Sequence, residues 1–112
     1  MREIYMDHSA TTPVDREAFE AMIPYYTNEY GNPSSVHAKG RAARKALEKA
    51  RDQVAALINA DSREIFFTSG GTEADNQAII SYMLSNAARG NHLITSAIEH
   101  HAVLETCEYL RK

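Results

Sequence analysis

At 112 residues the chain has the length of one small domain, with a radius near ~13 Å if compact. Hydrophobic residues make up 44%, charged residues 24%, and the net charge is −3, a balance that argues against a disordered chain, a nucleic-acid surface or a trap for acidic substrates. One cysteine cannot close an internal disulfide, and neither a membrane-length apolar run nor a basic-plus-apolar leader is present, so the expectation is a soluble chain in a reducing cytoplasm.

Residues 2–6 read as a short extended segment, and Asp7 to Thr12 as a loop of small polar residues before Pro13. Asp15 is placed to N-cap a helix from Arg16 toward Tyr26, with Ala18, Met22 and Ile23 or Tyr26 at helical spacing; Pro24 is expected to bend or end it. From Thr27 to Val36 turn residues dominate, and Asn32 before Pro33 cannot continue a helix, so a surface loop is expected. The next helix runs from about Lys39 or Gly40 to Ile58, with Ala43, Leu47, Ala50, Val54, Leu57 and Ile58 on one stripe. Its other face mixes Arg41, Arg44, Lys45, Lys49 and Arg51 with Glu48 and Asp52, the pattern of a solvated face. Asn59-Ala60-Asp61 ends it.

The stretch from Glu64 to Asn76 changes from strand to turn to helix chemistry. Ile65, Phe66, Phe67 and Thr68 suit a buried strand, and Gly70-Gly71 allows a tight turn with φ > 0. Thr72 or Ser69 can cap the following helix, and Glu73 and Asp75 suit the positive end of its dipole. The N–H groups of Gly71, Thr72 and Glu73 then lack intrahelical partners, and a phosphate satisfies several such donors at once. Strand, glycine turn and capped helix also occur in α/β proteins that bind no anion there. The stretch is not the nucleotide P-loop, since no lysine follows the second glycine, nor the dinucleotide fingerprint, since the third glycine is missing.

Ala74, Ala78, Ile79, Tyr82, Met83 and Ala87 continue this helix to near Gly90, and His92 to Ser96 reads as a second strand. Strand, helix and strand give an α/β class with a mainly parallel sheet. A last helix starts around His100, carries Val103, Leu104, Cys107 and Leu110 on one side, and reaches Arg111-Lys112 without a glycine cap, as if interrupted. A histidine at such a helix start is ordinarily a surface or capping residue. Cys107 reads as a small core residue, and the spacing of His92, His100, His101 and Cys107 matches neither a zinc finger nor H-E-x-x-H, so no metal site is expected.

Four stretches stand in a telling order: Tyr5-Met6-Asp7-His8-Ser9-Ala10-Thr11-Thr12-Pro13-Val14, Gly31-Asn32-Pro33-Ser34-Ser35-Val36-His37, Thr68-Ser69-Gly70-Gly71-Thr72-Glu73-Ala74-Asp75-Asn76 and Glu99-His100-His101-Ala102-Val103. Together they resemble the N-terminal motifs of NifS-type cysteine desulfurases, pyridoxal-phosphate (PLP) enzymes of fold type I. The resemblance runs over the whole chain and covers only the first part of the family's length. It implies that residues 1–14 belong to the small-domain side and residues 15–112 to an incomplete PLP-binding large domain.

The resemblance assigns the cofactor phosphate to Gly71 and Thr72, and makes His100 the ring-stacking histidine that moves protons during catalysis. Position 71 is often alanine in the family and is glycine here. It also implies that Asp7, His8, Thr11, Thr12, Asn32 and Ser34 line the substrate mouth, although loop capping accounts for each equally well. The family's cofactor-anchoring lysine, pyridine-nitrogen aspartate, nucleophilic cysteine and substrate-binding arginine cannot be assigned within residues 1–112. The implied complete enzyme is a homodimer that takes sulfur from L-cysteine, leaves alanine, and passes a persulfide to an acceptor or scaffold protein for iron–sulfur or thiolation pathways. The alternatives are another fold type I lyase, or a non-catalytic short chain that dimerises or complements a separately encoded remainder. In the resembled fold the two strands lie apart, so no ladder between Ile65–Thr68 and His92–Thr95 is expected.

Overall fold

The computed structural model describes residues 3–112, which divide into two compact units, one ending at Ile65 and one running from Phe66 to Lys112. The extended segment read from residue 2 starts outside the described residues; Glu3 to Met6 has no regular structure.

In the first unit, α1 spans Arg16–Thr27. The Asp15 carboxylate caps it as expected, accepting from the N–H groups of Glu17 at 2.9 Å and Ala18 at 3.2 Å. Pro24 does not end the helix, because its own carbonyl accepts from Asn28 and Glu29, both at 2.8 Å, and so closes the last turn. A 21-residue helix, α2, spans Ala38–Ile58. It starts on His37, whose Nδ1 accepts from the Gly40 N–H at 3.3 Å, and stops on Asn59, which is left-handed at φ 54°.

The loop from Asn28 to Val36 lies against the start of α2. A Cβ on Gly31 would sit 2.2 Å from the Lys39 carbonyl oxygen, and one on Gly40 the same 2.2 Å from that of Ser35, so both positions require glycine. Three cations of α2 fasten the loop: Lys39 Nζ donates to the Asn28 carbonyl at 2.7 Å, Arg41 to Val36 at 2.6 Å and Arg44 to Pro33 at 2.9 Å. Arg41 and Arg44 are exposed, as expected of the solvated face, and fasten the loop at the same time. Arg51 adds a bond to the Ile65 carbonyl and an ion pair with Glu48 at 3.6 Å. The expected apolar stripe is covered only in part: Ala43 is buried and Leu47 and Ala50 are half-buried, whereas Leu57 is 85% exposed. An open cleft of about 660 Å³ separates α1 from α2 along Met22, Tyr25, Leu47 and Ala50.

A 3₁₀ turn, Ser62–Glu64, follows, closed by a reciprocal box in which Asp61 accepts from Arg63 N–H at 2.9 Å and Glu64 from Asp61 N–H at 2.8 Å. The Arg63 guanidinium, bonded to the Asp61 carboxylate, holds that carboxyl below its ordinary value.

The second unit pairs two helices, α3 at Gly71–Ser85 and α4 at His101–Arg111. The two segments read as strands form no strand among the described residues. Ile65 has extended torsions of −96° and 122°, yet residues 66–68 and 91–96 make no ladder with each other or with any described segment. The reason is physical: a strand is defined by its neighbours, and extended chain whose N–H and C=O groups meet no neighbour forms none. Apolar side chains that a sheet covers are therefore open, with Phe66 72% and Ile94 83% exposed.

Candidate anion site at the start of α3

The residues before α3 arrange the turn differently from either capping expectation. Gly70 stands at the N-cap with extended torsions, and no side chain caps the helix. Glu73 instead folds back over the turn, its Oε2 accepting from Ser69 N–H at 2.7 Å and from Ser69 Oγ at 2.6 Å. The Ser69 hydroxyl, then its backbone N–H, hold the Glu73 carboxyl below its usual range. Thr68 Oγ1 donates to the Gly70 carbonyl at 3.2 Å. The Gly-Gly pair adopts no left-handed conformation; its contribution is open space, since a Cβ at Gly70 or Gly71 would meet nothing within 4 Å.

This leaves the donors that the sequence led us to expect. Among the described residues, the first helical N–H to find a carbonyl is that of Ala74, bonded to Gly70 at 3.1 Å, and the N–H groups of Gly71, Thr72 and Glu73 have no acceptor. Both Gly71 and Thr72 are exposed, and the cleft at this helix start is lined by Ser69, Thr72, Glu73, Asn76 and Gln77. Three outward N–H groups, the positive end of a 15-residue helix and a free hydroxyl fit a phosphate monoester.

His100 stands at the N-cap of α4, where its Nδ1 accepts from the Ala102 N–H at 3.1 Å. An accepting Nδ1 places the proton of the neutral ring on Nε2. The ring is exposed and meets His101 edge-on, with centroids 6.3 Å apart. Capping, the ordinary role of such a histidine, thus engages one nitrogen and leaves Nε2 for chemistry. His100 does not line the cleft that holds Thr72.

What joins the two residues is Asn76, the last residue of the third motif. With its amide nitrogen turned toward α4, Asn76 lies 2.9 Å from the Ala102 carbonyl, 3.3 Å from the Thr72 carbonyl, and against Thr106 Oγ1. The Thr106 hydroxyl spends its proton on the Ala102 carbonyl at 2.8 Å, so it accepts from Asn76. Thr106 is the buried polar residue of the unit, 4% exposed. The available signal was the spacing of Asn76 four residues after Thr72, which puts its side chain over the same helix face.

The remaining candidates sit in local turns. Tyr5 Oη donates to the Asp7 carbonyl at 2.8 Å and packs on His8, and the Asn32 side chain accepts from Ser34 N–H at 2.8 Å. Cys107 is half-buried on α4 with a free thiol. No group of three or more His, Cys, Asp or Glu side chains among the described residues is arranged to hold a metal ion.

The family model described as aminotransferase class-V matches residues 4–112. The putative cysteine desulfurase IscS 1 of Bacillus subtilis (strain 168) is 54% identical over 110 residues, covering 98% of this chain and 29% of its own length. The cysteine desulfurase IscS of Methanosarcina thermophila is 51% identical over 109 residues, 97% of this chain and 27% of its own. A solved structure described as a NifS-like protein superposes with a TM-score of 0.90 at 43% identity, over 98% of this chain and 30% of that one. The chain thus spans less than a third of the length of these relatives.

Proposed function

The chain belongs to the aminotransferase class-V family, and we propose that it is the N-terminal part of a PLP-dependent cysteine desulfurase. In this reading residues 1–14 lie on the small-domain side and residues 15–112 form part of the large domain. Segments 65–68 and 92–96 become strands of its mainly parallel sheet once later strands flank them. The observation that carries the reading is the set of unpartnered N–H groups at Gly71, Thr72 and Glu73 beside the Thr72 hydroxyl.

Gly71 and Thr72 would hold the cofactor phosphate, with the Glu73 carboxylate turned away from it onto Ser69. When bound, PLP supplies an electron-withdrawing ring that stabilises negative charge at the substrate Cα. His100 would stack on the cofactor ring and would hold or move a proton at Nε2, the nitrogen its cap leaves free. The net reaction takes L-cysteine and an enzyme thiol to L-alanine and an enzyme persulfide, which a sulfur acceptor or scaffold protein then receives. The working form is a homodimer in the cytoplasm. No helix among the described residues is long and apolar enough to cross a membrane.

The test is a PLP titration of the complete protein against its Thr72→Val variant. Removing the hydroxyl should weaken retention by roughly 0.5–3 kcal/mol, the range for a donor to a neutral or charged acceptor. Equal affinity would remove the phosphate from this turn.

A further inference from the structure

We propose that Asn76 is a positioning residue that fixes the His100 ring relative to the start of α3. The proposal rests on the cofactor reading above for its functional meaning and on hydrogen-bond geometry for its substance. Among the described residues, every hydrogen bond between α3 and α4 is made by the Asn76 side chain. The two amide hydrogens of Asn76 go to Thr106 Oγ1 and to the Ala102 carbonyl at 2.9 Å, the Thr72 carbonyl of its own helix being the longer contact at 3.3 Å, and the Ala102 N–H donates to His100 Nδ1 at 3.1 Å. The start of α4, and through it the imidazole, is thereby tied to α3 through one side chain.

The surroundings make this connection hold. Ala102 is 7% exposed and its carbonyl also accepts from the Thr106 hydroxyl, so the residue that caps on His100 is fixed from two sides. Helix ends fray unless held, and loss of the Asn76 bonds frees the first turn of α4 to move. The Ala102 N–H would then no longer select Nδ1 as the acceptor, and the ring would distribute its proton between both nitrogens. A group that acts at Nε2 needs that selection.

The experiment uses the complete protein, labelled with ¹⁵N-histidine and freed of cofactor, with the His100 ring nitrogens observed by NMR where the ring is neutral. His100→Gln assigns the signals. The parent should show a proton on Nε2, and Asn76→Leu, which keeps bulk but cannot donate, should raise the Nδ1–H share about fivefold, the factor set by one net hydrogen bond. Thr106→Val, which removes the hydroxyl that accepts from Asn76, should move it the same way by less, and stands in if Asn76→Leu does not fold. A parent-like proton distribution in folded Asn76→Leu, or in Thr106→Val where the leucine substitution is not tolerated, overturns the proposal. A general loss of stability lowers the melting temperature without moving this ratio. Thr72→Val keeps the separate question separate: if it retains PLP as the parent does, the cofactor reading fails, while the proton distribution still judges Asn76.

Discussion

The carboxylate of Glu73 receives both donors of Ser69, its N–H at 2.7 Å and its hydroxyl at 2.6 Å. An acid that lies beside a cofactor phosphate would repel it; here the same acid is spent on the turn, and the helix N–H groups remain directed outward. Local geometry and charge placement are thus settled by one contact.

Glu73 accordingly titrates below 4.5, the ordinary glutamate value. A folded-state value lower than the unfolded one means that the turn's stabilisation is complete above the ordinary range and is lost as pH falls through the lower, folded value. Ser69→Ala removes the larger cause and should move the carboxyl titration back toward 4.5 when followed by ¹³C NMR; an unmoved midpoint would contradict the contact.

His100→Ala separates capping from catalysis. As a cap its loss should cost about 1 kcal/mol of stability, whereas as a proton-moving group it should slow turnover of the complete enzyme by about 10²–10⁴-fold. Turnover equal to the parent, with only the melting temperature lowered, would leave His100 a cap.

Two glycines should respond oppositely to alanine. At Gly40 the new Cβ would sit 2.2 Å from the Ser35 carbonyl oxygen and 2.8 Å from that of Asn32, both backbone atoms that cannot step aside. Gly40→Ala should destabilise by roughly 1–3 kcal/mol in denaturant unfolding, as overpacking does. Gly71→Ala meets nothing within 4 Å and keeps its N–H, so it should retain PLP and gain up to about 1 kcal/mol from a less flexible unfolded chain.

The 112-residue chain incubated with PLP and L-cysteine should release neither alanine nor sulfide, because no anchoring lysine or nucleophilic cysteine is assignable within it. Alanine formation by the purified chain would refute this.

Helices were legible where their signals are local. Asp15 before Arg16 and Asn59 after Ile58 mark boundaries found in the structure within a residue or two, since capping depends on the next few positions. The His37 cap carries no such signal, because imidazole is an uncommon acceptor at that position. The Asp61 to Glu64 box has the three-residue spacing of a capping box, a signal that coincides in the sequence with the end of the preceding helix. Ile65 to Thr68 has strand composition without strand pairing, because pairing belongs to partners that composition does not contain. The orphan donors at Gly71 and Thr72 followed from helix geometry alone, whereas the Asn76 bridge depends on how two helices pack.

Among the described residues the buried apolar ones are Ala43, Ala55, Ile65 and Ala102, and no large side chain is fully enclosed. Heat capacity and denaturant sensitivity of unfolding both scale with the apolar surface that unfolding newly wets. Phe66, Leu57 and Ile94 are wet already. Calorimetry of these residues by themselves should therefore give a broad, shallow transition with a small heat-capacity step, and urea a gentle slope rather than a sharp midpoint.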